Sequence, residues 1–168
     1  PTTSTTMTLA MGDALAVALM ENRAFTAEHF RNFHPGGKLG AQLARVSDLM
    51  HSGIKMPLVS LETPMTEALI EISQKSLGVV GVTALDGTLA GIITDGDLRR
   101  HMDGLLSLMA KDVMTASPAT VQPEALAVEA VALMNDRKIT CVFAVKSDVQ
   151  AAPCGILHIH DCLRVGLD

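Results

Sequence analysis

The sequence predicts a small α+β unit that occurs twice in tandem, and three observations carry that expectation. From Val46 onward the chain repeats its own pattern over about sixty residues. Within each copy, apolar residues at helical spacing are followed by two short apolar stretches of strand character. Between the two strands of the first copy stands Asp86-Gly87, a dipeptide suited to the tight turn of a hairpin.

Residues 1–45 precede the duplication. "PTTSTT" offers several helix caps, and "MTLAMGDALAVALMENR" has the Ala, Leu and Met content of a helix that is apolar around most of its circumference. A second short helix is expected at "TAEHFRNF", with Thr26 capping an amide two or three residues on and Glu28 in the first turn. "HPGG" ends it, because Pro35 biases His34 away from helical geometry and the two glycines permit a turn.

In the duplicated part, Asp48-Leu49-Met50 matches Asp112-Val113-Met114, Thr63-Pro64 is aligned with Gln122-Pro123, and Gly91-Ile92-Ile93 matches Gly155-Ile156-Leu157. Both copies close on an aspartate, Asp97 or Asp161, shortly before an arginine. Helices are expected over residues 65–76 and 124–136, with apolar positions at Met65, Ala68, Leu69 and Ile72 in the first and Ala127, Val131, Leu133 and Met134 in the second. Strands follow at "GVVGVTA" and "TCVFAV", then turns, then strands at "LAGIIT" and "CGILHI", then a short helix starting at Asp97 or Asp161.

Composition narrows the function classes. With 48% apolar and 18% charged residues the chain of 168 residues is globular, not disordered. Four Phe, no Trp and no Tyr leave the core to Val, Ile, Leu, Met and Ala, and ten Met make it adaptable. A net charge of -5 without a Lys/Arg cluster argues against nucleic acid as a partner. No stretch reaches the roughly 18 to 20 apolar residues of a membrane span. Cys141, Cys154 and Cys162 form no C-x-x-C pair, and their odd number fits a reduced, cytoplasmic setting better than a disulfide scaffold. The first twenty residues lack a basic start and carry Asp13, unlike a signal peptide.

The D-[LV]-M opening and the glycine-led strand closing on aspartate, present twice at matched spacing, resemble a tandem CBS-domain pair, or Bateman module, with pseudo-twofold symmetry. Upstream, "PTTSTTMTLAMGDALAVAL" with "FHPGGKLG" is similar to the last helix and linker of a sugar-isomerase (SIS) domain of the kind found in bacterial D-arabinose-5-phosphate isomerases. The resemblance implies a division into residues 1–45, a SIS remnant, 46–106, the first CBS repeat, and 107–168, the second. It implies a C-terminal portion of an isomerase that converts D-ribulose 5-phosphate to D-arabinose 5-phosphate for Kdo and lipopolysaccharide synthesis. That portion is expected to be inactive by itself.

Thr94 and Asp97 stand three residues apart across a strand-to-helix junction. Hydroxyl and carboxylate therefore converge beside free helix-start amides, a combination suited to ribose and phosphate. A plain helix cap accounts for the same spacing. The second copy keeps Asp161 but has His158 where the first has Thr94, and His158 and His160 alternate onto one face of a strand. These two histidines suit ligand contact or structure better than zinc, so no metal site is expected. His34 is the candidate catalytic residue, because imidazole titrates near neutrality and the resemblance places it at the active-site linker, reaching a neighbouring subunit. Ser4, Thr5 and Thr6 serve either the sugar phosphate or the helix cap, and His51 and His101 receive no role.

No cofactor is expected. The implied regulatory ligand is an adenine nucleotide or the nucleotide-sugar CMP-Kdo. The implied partners are further copies of the chain, as a dimer of CBS pairs and a tetramer in the intact enzyme. A structural module that binds nothing is the competing reading, and a sugar-phosphate sensor controlling transcription is a third. If the chain begins at the last SIS helix, Met7, Leu9, Met11, Leu15 and Leu19 should be disordered or buried against another copy.

Overall fold

The structure, a computed structural model, describes residues 2–26, 29, 38–146 and 152–167. Helix α1 (Thr3–Asn22) forms as expected, yet none of its residues is buried within the chain. Its apolar side chains face outward, with Met7 65% and Leu15 61% exposed. Thr26 does cap as expected: its hydroxyl accepts the His29 backbone N–H at 3.3 Å. Residues 27, 28 and 30–37, which hold most of the expected second helix and the His34 that follows it, lie outside the described residues.

A short helix, α2 (Lys38–Gln42), precedes the duplicated part, which starts with α3 (Val46–Leu49). The first copy continues with β1 (Leu58–Ser60), α4 (Met65–Lys75), β2 (Val79–Thr83), β3 (Leu89–Thr94) and α5 (Asp95–Arg100). The second has α6 (Ala110–Val113), β4 (Thr115–Ala116), β5 (Thr120–Val121), α7 (Ala127–Arg137), β6 (Cys141–Val145), β7 (Pro153–His158) and α8 (Ile159–Arg164). One sheet runs β1-β2-β3-β4 and the other β5-β6-β7. In both, the first pair is parallel and the next antiparallel. Even the irregularity repeats, with a register shift at Val82/Thr83 and its counterpart at Ala144/Val145.

Helices α4 and α7 correct the sequence alignment. Their caps are Pro64 and Leu126, so Thr63-Pro64 corresponds to Ala125-Leu126 and not to Gln122-Pro123. The second helix therefore starts at Ala127, later than the expected residue 124. A proline is tolerated ahead of a helix wherever its missing N–H costs nothing, so the two prolines need not share a position.

The copies in the sequence are not the halves in space. Strand β4 of the second copy pairs with β3 of the first, and His51 of the first copy forms the matching bridge to Ile156 of the second. The helices before these segments cross over too. The Val46 N–H donates to the Ala125 carbonyl, and the Ala110 N–H to that of Thr63. Val46 is thus buried with Ala127, Ala130, Met134 and Leu157, while Ala110 and Val113 are buried with Met65, Ala68, Val80 and Ile93. A third cluster joins the sheets: Val79 with Phe143 and Ile156, flanked by Leu58, Leu89 and Ile92.

The crossover accounts for the repeated Met and Gly. A Cβ on Gly155 would strike the side chain of Met50, and one on Gly91 would lie 2.6 Å from the Met114 sulfur and 2.8 Å from the Thr115 carbonyl oxygen. The methionine of each D-[LV]-M thus rests on the glycine of the opposite copy. Gly81 plays a related part at the centre, where a Cβ would meet the Phe143 ring at 2.7 Å. Gly81 and Phe143 occupy equivalent positions, pairing with Ile92 and Ile156 respectively, so a small residue in one half makes room for a large one in the other.

Overpacking at these glycines should be measurable. Gly155→Ala is expected to cost about 1–3 kcal/mol in denaturant unfolding. Because the three atoms nearest its added Cβ all belong to the Met50 side chain, Met50→Ala should relieve much of the clash in a double-mutant cycle. Gly91→Ala, which also meets backbone, should be relieved less by Met114→Ala. Additive costs at Gly155 and Met50 would refute the contact.

Candidate ligand-binding site

Where the two halves meet, a crevice of about 600 Å³ opens beside the ends of β3 and β7. Its walls come in equivalent pairs, among them Ser76 and Lys138, Gly78 and Thr140, Val79 and Cys141, Thr94 and His158, Gly96 and His160. The pairing follows from the duplicated fold, since each strand–helix junction delivers its residues to the same axis. Ser76 and Lys138 cap α4 and α7 with left-handed backbones, φ 58° and 54°, a conformation that favours glycine. Arg99 and Lys138 bring positive charge to the crevice and Asp95 negative charge.

Thr94 and Asp97 converge as expected, but on each other. Asp97 Oδ2 accepts the Thr94 hydroxyl at 2.6 Å and the Thr94 backbone N–H at 2.8 Å. Its Oδ1 accepts from Arg100 and, at 2.7 Å, from the Thr115 hydroxyl delivered by β4 of the other copy. Asp97 is 2% exposed and is absent from the crevice wall, whereas Thr94 lines it. In this arrangement the carboxylate holds the helix cap and ties the copies together, and ribose hydroxyls find no open lone pair on it. Burial is the largest influence on Asp97 and pushes its carboxyl up. Hydrogen bonds from Thr94, Thr115 and Arg100 outweigh it and hold the group below the usual carboxylate value.

The second junction reproduces this plan with other chemistry. Asp161 accepts from Arg164 at 3.1 Å, as Asp97 accepts from Arg100, and His51 takes the place of Thr115, its Nε2 lying 2.8 Å from Asp161 Oδ2. His158 caps α8, its Nδ1 accepting the His160 backbone N–H at 3.2 Å. The two histidines do not alternate along a strand as expected, because β7 ends at His158 and His160 belongs to α8. Their rings still stack, with centroids 4.9 Å apart and planes 17° from parallel. Burial foremost, and then the neighbouring His160, pull the His158 imidazole below its ordinary value.

Thr115 and His51 are the site residues that sequence reasoning missed. Each directly follows its D-[LV]-M, a shared register that was available as a signal, but the aspartate each one meets lies in the opposite copy. Cys141 lines the crevice without offering a nucleophile, since burial pushes its thiol up to about 11. Among the described residues no group of three or more His, Cys, Asp or Glu is placed to hold a metal ion, and no helix is long and apolar enough to cross a membrane.

Residues 46–104 and 110–168 each match the CBS domain. The chain belongs to the CBS-domain family. Over 73% of its length it also superposes on CBSX2 in complex with AMP, a protein known from Arabidopsis thaliana, at a TM-score of 0.63 with 25% identity, covering 96% of that chain. Among curated proteins it is 48% identical over 171 residues to arabinose 5-phosphate isomerase KdsD of Pseudomonas aeruginosa and 47% identical to that of Escherichia coli, with 99% of this chain aligned. It spans 52% and 51% of those two proteins. Each CBS signature thus contributes a methionine that seats on the partner domain's glycine and an aspartate that binds the partner domain's lead segment.

Asp97→Ala leaves the Thr115 hydroxyl, the Thr94 amide and Arg100 without their acceptor, and should destabilise the pair by about 1–3 kcal/mol in chemical denaturation. Because the folded carboxyl titrates below its unfolded value of about 3.9, its stabilisation is complete above that pH and is lost as pH falls through the lower folded value. The wild-type melting temperature should therefore drop more steeply than that of the variant below about pH 4. Parallel pH profiles would contradict the arrangement.

Proposed function

We propose that this CBS pair is a regulatory module that binds a nucleotide or nucleotide-sugar in the crevice between its domains, within an isomerase interconverting D-ribulose 5-phosphate and D-arabinose 5-phosphate. The observation that carries the reading is the crevice itself. It is built from paired residues of both domains, large enough for a nucleotide, and walled by Ile92, Ile139 and Leu77 for a base, with Arg99 and Lys138 for phosphate. The isomerase context is supported by the similarity to arabinose 5-phosphate isomerase over nearly the whole chain. An AMP-bound CBS pair of the same fold supports an adenine nucleotide. CMP-Kdo, bearing ribose and phosphate and lying downstream in the implied pathway, is the ligand that makes feedback sense.

In this reading residues 1–45 belong to a SIS domain and 46–106 and 107–168 to the two CBS repeats. Thr94 and His158 meet the ligand, and Asp97 and Asp161 hold the segments that carry Thr115 and His51 in place. Ligand binding biases the attached catalytic domain by a coupling of typically about 1–3 kcal/mol. The assembly is a cytoplasmic tetramer with the CBS pairs as dimers. His34 supplies acid–base chemistry to the isomerase site, so His34→Asn in the full-length enzyme should lower kcat by roughly 10²–10⁴. A kcat unchanged in that variant would remove His34 from the chemistry.

The occupied lone pairs of Asp97 favour a second reading, a structural module that binds no ligand. Isothermal titration with AMP, ATP and CMP-Kdo separates the two. The regulatory reading expects heat with at least one of them, and at a hundredfold excess over Kd about 2.7 kcal/mol of added stability. No heat and no change in melting temperature with any of the three would leave the structural reading.

A further inference from the structure

The two ends of the crevice are related by position and differ in chemistry. Thr94 ends β3 with a hydroxyl, and His158 ends β7 with an imidazole whose Nδ1 accepts the His160 N–H, which places the ring proton of the neutral form on Nε2. The His160 ring stacks on it, and both rings line the crevice. A neighbouring hollow of about 200 Å³ continues from them towards His51, Asp161 and Arg164.

The charges around this pair are unbalanced. From α8 come Asp161 and Arg164, from the first lead segment His51, from the cap of α7 Lys138, and from α5 Arg99 and Asp95. On β6 the facing group is Cys141, the strand partner of His158, whose thiol is neutral with its pKa pushed up to about 11. Asp161 is already engaged by His51 and Arg164. The chain is acidic, at -5, yet here it gathers Arg99, Lys138 and Arg164 around two imidazoles. Burial and the His160, His51 and Arg164 neighbours disfavour a proton on His158, with only Asp161 opposing them. An anion seated between the rings and Lys138 would supply counter-charge to a protonated ring.

We propose that the crevice takes up its anionic ligand together with a proton captured by the stacked His158–His160 pair, so that occupancy of the module is linked to pH. The proposal rests on the crevice being a ligand site. The proton comes from solvent, and linkage is reciprocal: a ligand that binds the protonated pair more tightly must raise the pair's affinity for protons by the same factor. Among the described residues that wall the equivalent end, with Thr94, there is no histidine, and the nearby His101 sits at the far cap of α5, bonded to the Asp97 carbonyl.

Nuclear magnetic resonance titration of the His158 and His160 ring signals, in the protein alone and saturated with AMP, tests this directly. The expected result is an upward shift of about one pH unit in the pair on AMP binding, equivalent to about tenfold tighter binding on the acid side. Calorimetry at pH 6 and pH 8 on the wild type and on His158→Thr, which installs the first domain's residue, gives a second reading. The AMP phosphate titrates alike in both experiments, so a steeper pH dependence in the wild type belongs to the imidazoles. AMP binding with unmoved histidines, or equal slopes in the two proteins, overturns the proton coupling while leaving the ligand site intact. No binding of AMP at either pH overturns both.

Discussion

Met50 lies on Gly155 and Met114 lies on Gly91, and around these two reciprocal contacts each domain is completed by a segment of the other. A domain of about sixty residues is near the lower limit for an independent core. Here each one borrows a short helix and a strand edge, and leading backbone donors of those segments, those of Val46, His51 and Ala110 among them, find their acceptors across the pair. The two sheets consequently form one cooperative body. The crevice between them is walled by the strand–helix junctions of both domains.

The same exchange fixes the polar chemistry. Thr115 and His51 arrive on the exchanged segments and close onto Asp97 and Asp161, so each aspartate reports whether the opposite lead segment is in place. Any ligand that displaces or reorients Thr94 or His158 acts beside this junction. The same segment reaches the interior, because α3 carries Val46 into the core of the second domain.

Symmetry is preserved in the backbone and in the Met–Gly and Asp–Arg pairs, and abandoned at several other positions. Gly81 opposes Phe143, Thr94 corresponds to His158, and Thr115 to His51. Two copies with identical residues at the axis would place two large or two small side chains against each other, leaving either a clash or a void. Divergence at the axis removes that conflict and gives the two ends of the crevice distinct chemistry.

The sequence alone determined the duplication, the order of elements, the hairpins and the strand-to-helix junctions, because periodicity, Asp-Gly turns and helix caps are local signals. It also determined the family, because a motif repeated at matched spacing is legible without coordinates. The tertiary structure decided where those motifs act. It moved the partner of Pro64 from Pro123 to Leu126, turned Asp97 from an open ribose acceptor into a buried tie, and gave His51, which had no visible role, a carboxylate in the other copy. The physical reason is that hydrogen bonds and packing across the pair join residues about 18 to 110 positions apart, and spacing along a chain carries no record of which copy a segment joins.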